Sequence, residues 1–441
     1  MTQTASAPPA TRSPAAPQAA APGQPAPPPV AQLVKGRIAT WFEGTPGRMR
    51  ALLIVAAIVS VVFGLAAAQG YNQSDGALQR AEANTAQLVR IQAIHTNLVS
   101  ANADATNAFL VGGLEPPAQR QHFVDSMATA ARLISEAATA QPADQKALGE
   151  LNATLLTYQG LIEQARANNR QGLPIGSQYL KDASATLQGD SLPVLKELVK
   201  ANQSRVNTEF DGINDGNLWL IVAGLLALAV LVGCLVWLAK RSHRYLNLPI
   251  AAAAALVLFT MVVGGASLAG SSSDAKETRN EAFADTLALS QARISAYDAK
   301  SNESLTLIAR GSGAAFEDAW KKAADNTGSQ LGRVERGVGL APLWNRYRAV
   351  HVEIRNEDDR GNWDAAVEKA IGENNISSNA AFKAFDDRSS RDLSRFSETA
   401  RAELSQARND LPPIGWLGLP IGIVAALLAA WGFSQRLEEY R

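Results

Sequence analysis

The sequence predicts an all-α membrane protein with four transmembrane helices and two tandem extracytoplasmic four-helix bundles related by a pseudo-two-fold. Three observations predict it. Four uncharged apolar runs divide the chain, each near the 20 or so residues that cross a hydrocarbon core of roughly 30 Å. The polar stretches between them carry helical periodicity, with no alternating strand pattern of useful length. The later half of the chain repeats marks of the earlier half in the same order.

Residues 1–45 read as a disordered cytoplasmic tail. MTQTASAPPATRSPAAPQAAAPGQPAPPPVAQLV is almost entirely Ala, Pro, Gln, Ser and Thr, and buries too little apolar surface to offset the entropy of ordering. No charged region close to an apolar core marks a cleaved signal peptide. The first span is read at 46–70, its apolar run beginning at 51, and the others at 218–239, 248–269 and 414–433. None of the four runs contains Asp, Glu, Lys, Arg or His. Transporters and proton pumps place ionisable groups at membrane depth, so these spans read as anchors and signal conductors.

Charge flanks set the orientation. Lys35, Arg37, Arg48 and Arg50 precede the first run, and Lys240, Arg241 and Arg244 lie in the short loop 240–247. The positive-inside rule makes both segments cytoplasmic. Residues 71–217 and 270–413 then lie outside, and the tail 434–441 returns to the cytoplasm, giving a multi-pass protein with both termini cytoplasmic. The three basic loop residues read as topology determinants or as a docking point for a cytoplasmic partner.

Each outer segment reads as an up-down four-helix bundle. Leu88, Ile91, His95, Leu98, Ala105 and Phe109 form one helical stripe; Leu195, Val199, Asn202, Val206, Phe210 and Ile213 form another, leading to the second span. Phe382, Phe385, Ser389, Leu393, Phe396 and Ala400 do the same before the fourth. Gly112–Gly113 with Pro116–Pro117, Gln141–Pro142 and Gly172–Pro174 punctuate the first segment into four helices. Asn202, polar in an apolar stripe, either specifies helix register or bonds a neighbour.

The duplication rests on ordered matches. Tyr158, Arg166 and Gly172 recur at the same spacing as Tyr347, Arg355 and Gly361. ANADATNAFLVGG (101–113) aligns without gaps on SNESLTLIARGSG (301–313), and HFVDSM (122–127) on AFEDAW (315–320). Covalent duplication would supply both halves of a receptor-like dimer in one chain.

Candidate site residues follow from this layout. Arg166 and Arg355 lie near the ends of their third helices, as cations complementing the helix dipole or as forks for a ligand carboxylate. Tyr158 and Tyr347 are core aromatics or ligand contacts. Leu114, Leu173, Ile175 and Trp363 fall on turns far from the membrane, as folded-back caps or as a docking surface for a soluble partner.

Composition excludes other classes. The 441 residues carry zero formal net charge and no basic stretch with interleaved aromatics, which argues against nucleic acid. One cysteine and four scattered histidines supply no disulfide framework and no metal motif. No P-loop, nucleophile elbow or kinase signature occurs, so the protein is expected not to be an enzyme and to need no cofactor.

The repeated Tyr-x7-Arg-x5-Gly segment, placed on a third helix and its turn, resembles the extracytoplasmic four-helix-bundle sensors of bacterial chemoreceptors and histidine kinases. With the tandem copy and the Ala/Pro-rich tail, the layout over about 45–441 is similar to the actinobacterial GlnX type of membrane protein. That resemblance implies a sensor in the bacterial cytoplasmic membrane, partnered outside by a solute-binding lipoprotein for an amino acid such as glutamate or aspartate. Inside, it implies a soluble serine/threonine kinase of the PknG kind. The sequence departs from the receptor pattern at Pro412–Pro413, which interrupt the helix entering the fourth span. A structural protein holding a cell-envelope complex is the competing expectation, with a transporter subunit as a third.

Overall fold

In the computed structural model, the described residues are 44–111, 113–213, 215–242, 246–337, 339–372 and 374–438. Nearly all of the expected Ala/Pro-rich tail, together with Arg244 of the loop and the last three residues, lies outside them. Among the described residues every regular element is helical.

Helix α1 (Gly44–Val111) is continuous for 68 residues, about 100 Å, so one rod carries the first apolar run and the first outer helix. Next comes α2 (Pro117–Ala140), begun by a proline where its missing N–H costs nothing. A short 3-10 turn at Pro142–Asp144 leads into α3 (Gln145–Arg170), and Gly172 turns the chain at φ +67°. The fourth outer helix is not uniform. It runs as α4 (Ile175–Thr186), a π-helical turn at Leu187–Ser191, and α5 (Leu192–Gly212). Pro193 has no N–H for the carbonyl of Gly189 and crowds it, and one inserted residue in the preceding turn relieves this.

Helix α6 (Asp215–Ser242) follows, then α7 (Leu248–Asn280), whose Asn247 cap accepts from the Ile250 amide. The second outer segment comprises α8 (Ala282–Ile308), α9 (Ala314–Leu331), α10 (Leu340–Asp359), α11 (Trp363–Ile371) and α12 (Ser378–Asn409). Helix α13 (Ile414–Glu438) closes the chain and holds Pro420 in its interior. As the sequence requires, the rod breaks between Asn409 and Ile414, at Pro412–Pro413.

Four helical stretches are long and apolar enough to cross a membrane. Their apolar parts close a ring, α1 against α6 and α13, and α7 against α6 and α13. Phe63, Leu220, Val257 and Phe433 are among its buried core. Glycines set the tightest contact: a Cβ on Gly64 would lie 2.5 Å from the Gly418 carbonyl oxygen and 2.8 Å from the Gly422 Cα. Such small-residue contacts let helix backbones approach closely.

Beyond the ring, a second cluster gathers Leu78 of α1, Phe210 of α5, Ala275 of α7, Phe283 of α8 and Leu404 of α12. All the routes from apolar helix to outer helix meet there. Farther out, the helices of both outer segments share one buried core, with α1 and α8 packed side by side.

Several of the positions matched in sequence are placed alike. Tyr158 and Tyr347 are both fully buried, and Gly172 and Gly361 both take positive φ after the third helices. Thr106 and Thr306 each donate to the carbonyl four residues back. The gapless alignment slips at the following turn. Gly113 has φ +60°, whereas its counterpart Gly313 caps α9 at φ −85°, and the left-handed glycine of the second copy is Gly311.

Candidate functional site

The third helices place their marked residues inside the fold. The Tyr158 hydroxyl lies 3.5 Å from Asn102 Oδ1, and that of Tyr347 accepts from Trp320 Nε1 at 3.1 Å. Burial raises both phenols above their ordinary value. The Arg166 side chain is 9% exposed, sits 4.1 Å over the Phe123 ring, and donates to Glu115 and Glu163 at 3.0 and 2.9 Å. Arg355 donates to Asp358 and Asp359 at 2.6 and 2.5 Å. Both guanidiniums already hold carboxylates of this chain.

The second unit adds a buried charge network that sequence reading missed. His351 bridges Glu303 and Glu317 at 3.0 and 3.2 Å and stacks on Trp320 with centroids 3.5 Å apart. Lys300 donates to Glu303 at 2.7 Å and to Ser378 at 2.9 Å. Burial raises the Glu303 carboxyl, but Lys300 and His351 outweigh that and hold it at about 2. Burial alone would lower His351; its bonds to the two glutamates outweigh this and raise it. In the first unit, the Tyr158 hydroxyl lies against neutral Asn102 instead.

At the ends far from the apolar helices, Leu114 is 81% exposed, Leu173 43% and Ile175 50%. Trp363 differs. It is half-buried, its Nε1 donates to the Leu307 carbonyl at 2.9 Å, and the Arg310 guanidinium lies 4.0 Å over its ring. The folded-back cap describes Trp363; the three aliphatic residues face outward. At the opposite end of the molecule Lys240 and Arg241 are exposed, and Arg241 lies 3.3 Å from the Thr45 hydroxyl.

Alongside the shared apolar core, the seam between the units carries polar contacts. Asn102 donates to Ser301 at 2.7 Å and accepts from Ser184 at 3.0 Å, while Asn107 and Asn379 exchange bonds at 3.0 and 3.1 Å. Gln188 donates to Asp298 across it at 2.9 Å. A cleft opens on each flank. One, of about 770 Å3, lies between Lys181, Gln188 and Lys196 of the first unit and Asp298, Asn302 and Lys322 of the second. The other, of about 310 Å3, lies between Asp104 and His122 of the first and Tyr297, Lys300 and Asp386 of the second. There His122 pairs with Asp104 at 2.6 Å; this bond raises the imidazole, while burial raises the aspartate. Among the described residues no group of three or more His, Cys, Asp or Glu side chains is arranged to hold a metal ion.

Asn202, singled out by its polarity, lies at 0% exposure and bonds neighbours. It donates to Asp144 and to the Leu198 carbonyl at 2.8 and 2.9 Å. Buried Asp144 also accepts from Gln87 at 3.2 Å and Arg205 at 2.8 Å. This brace ties α1 to α5, the two first-unit outer helices that lead to apolar segments.

Comparison with known proteins bears on the first unit. Residues 77–211 match the family described as the actinobacterial sensor domain, a stretch reaching from the outer part of α1 almost to the end of α5. No curated protein and no solved structure matches the chain.

Proposed function

We propose that the protein is a non-enzymatic transmembrane sensor of the GlnX type, built as two tandem extracytoplasmic four-helix bundles that act as an intramolecular pseudo-dimer. The observation that carries this reading is the likeness of residues 77–211 to a sensor domain set between two membrane-length helices. The external cue is an amino acid such as glutamate or aspartate, delivered by a solute-binding lipoprotein anchored in the same bacterial membrane. The lipoprotein docks on the distal ends, where Leu114, Leu173 and Ile175 are exposed and Trp363 is half-buried. Docking biases the packing of the bundles, and a ligand can do so only through differential affinity for two states. The bias passes through the cluster around Phe210 and Phe283 to Lys240 and Arg241, where a cytoplasmic serine/threonine kinase reads it.

Affinity purification of the full chain from native membranes tests this. The expected result is co-purification of a solute-binding lipoprotein and a serine/threonine kinase. The recovered lipoprotein should bind Leu173→Ser or Ile175→Ser chains about thirtyfold more weakly, since losing an interface anchor costs about 2 kcal/mol. Recovery of envelope-assembly proteins with no kinase would favour the structural-scaffold reading instead.

A further inference from the structure

The two ends of the apolar ring treat charge differently. On the side of the outer segments, Arg80, Arg279 and Arg408 pair with Glu209, Asp211 and Asp75 at 2.8, 3.2 and 2.8 Å, each pair joining two helices. At the opposite end Arg48 of α1 and Lys240 and Arg241 of α6 are exposed, and among the described residues no carboxylate pairs with any of them. The stretches 44–56 and 231–242 contain no Asp or Glu. Arg241 Nη2 donates to Thr45 Oγ1 at 3.3 Å, which ties the ends of the packed α1 and α6 together. Arg48 lies one turn along from Thr45 on the same face of α1. Two guanidiniums and an ammonium are thereby gathered on one flank of a helix pair. The positive-inside rule asks for cations at this end, but not that they converge. Crowded cations repel one another, and a counter-charge between them relieves this.

The surface beyond the cations completes the chemistry. Val55, Ile58 and Val62 are exposed on α1, and Val236, Val232 and Leu225 on α6. Counted from Arg48 and from Lys240 they recur at spacings of three, four or seven, so each apolar stripe runs in line with its cation. Each stripe reaches about 20 Å from the cation, more than the roughly 15 Å of one leaflet, half of a hydrocarbon core. A soluble anion would meet the cations and leave the stripes bare. A neutral lipid would cover the stripes and leave the cations unmatched. We propose that this end of the α1–α6 pair binds a phospholipid with a net-negative headgroup. Its phosphate sits between the Arg48 and Arg241 guanidiniums beside Lys240, and its chains lie along the two stripes. Guanidiniums suit this role because they bond phosphate oxygens in a planar fork, and basic pockets between membrane helices hold anionic headgroups. The lipid bridges α1 and α6 and so reinforces the contact between Thr45 and Arg241. The site is independent of the sensor reading, since it needs neither a lipoprotein nor a kinase.

The test uses the delipidated full chain in a neutral maltoside detergent. It is titrated with dioleoyl phosphatidylglycerol, dioleoyl phosphatidylcholine or inorganic phosphate, and melting is followed by helical circular dichroism. Expected is a saturable rise in melting temperature with phosphatidylglycerol, and none with the other two at the same concentration. Arg48→Gln and Arg241→Gln should each weaken phosphatidylglycerol about fivefold, the worth of one cation beside an anionic lipid, and the double variant by about tenfold or more. Lys146→Gln with Lys200→Gln, which removes two exposed cations from the first outer segment, should bind as wild type does. Affinity is read from the titration midpoint, so a variant that starts from a lower melting temperature still reports. Equal shifts with phosphatidylglycerol and phosphatidylcholine, a shift reproduced by phosphate alone, or wild-type affinity in the Arg48→Gln, Arg241→Gln double variant would each overturn the proposal.

Discussion

Replacing Asp144 with alanine should reveal how firmly the first unit is braced. The carboxylate is 1% exposed and accepts from Asn202, Arg205 and Gln87 at 2.8, 2.8 and 3.2 Å. Hydrogen bonds to a charged group are worth about 1.5–3 kcal/mol each, but three such values do not add here. Asn202 keeps the Leu198 carbonyl and Gln87 keeps that of Ala137. The Arg205 side chain is 29% exposed and partly rehydrates. The expected cost is therefore about 3 kcal/mol, the lower end of the range for breaking a buried pair. Denaturant unfolding of the full chain in detergent, followed by helical circular dichroism, measures it. Adding Asn202→Leu should recover part of the loss, since it removes one orphaned donor. A loss below about 0.5 kcal/mol, the scale of ordinary surface substitutions, would refute the brace.

Three further outcomes follow from other parts of the fold. Gly64→Ala drives a Cβ to 2.5 Å from the Gly418 carbonyl oxygen and should destabilise the ring of apolar helices by about 1–3 kcal/mol. Gly233→Ala, whose Cβ meets nothing within 4 Å, should cost nothing in the same unfolding assay. The His351 network makes stability pH-dependent in both directions. Its imidazole is raised in the fold above the ordinary 6.5, so its contribution is full below that and fades as pH climbs through the raised value. Glu303 and Glu317 are lowered below the ordinary 4.5, so theirs is full above 4.5 and fades as pH falls through their folded values. His351 bonds Glu303 of α8 and Glu317 of α9 and stacks on Trp320; around these glutamates, Lys300 and Ser378 bond Glu303, and Lys321 and Arg355 pair with Glu317. Melting temperature against pH should peak between about 4.5 and 6.5, and His351→Gln should flatten the decline above it. In a Cys234→Ala background, cysteines at Ser177 and Ser394 should react with membrane-impermeant thiol reagents in intact cells, and one at Lys240 should not; the reverse pattern inverts the topology.

What the sequence made legible was what local chemistry decides. Uncharged runs mark the apolar helices, and Gly172–Pro174 and Pro412–Pro413 mark a turn and a break because their backbones allow little else. Asn202 was visible as a polar residue in an apolar stripe, though its partner Asp144 lies 58 positions away and nothing local names it. The break at Glu281, with φ −111° and ψ −89°, carries no glycine or proline and was missed. The π-turn before Pro193 has its local signal in the proline itself. The Gly64 contact with α13 and the meeting of His351 with Glu303 depend on which helices pack together, which periodicity along one helix does not contain.

The central claim is that a cue on one side of the membrane changes packing on the other. It is tested by spin labels on cysteines at Arg48 and Lys240, both exposed at the far ends of the apolar helices, in the full-length Cys234→Ala chain in nanodiscs. Electron paramagnetic resonance would give the distance distribution with and without the co-purified lipoprotein and glutamate or aspartate. The distribution should shift when lipoprotein and amino acid are both present. Superimposable distributions in all conditions, with lipoprotein demonstrably bound, would contradict it.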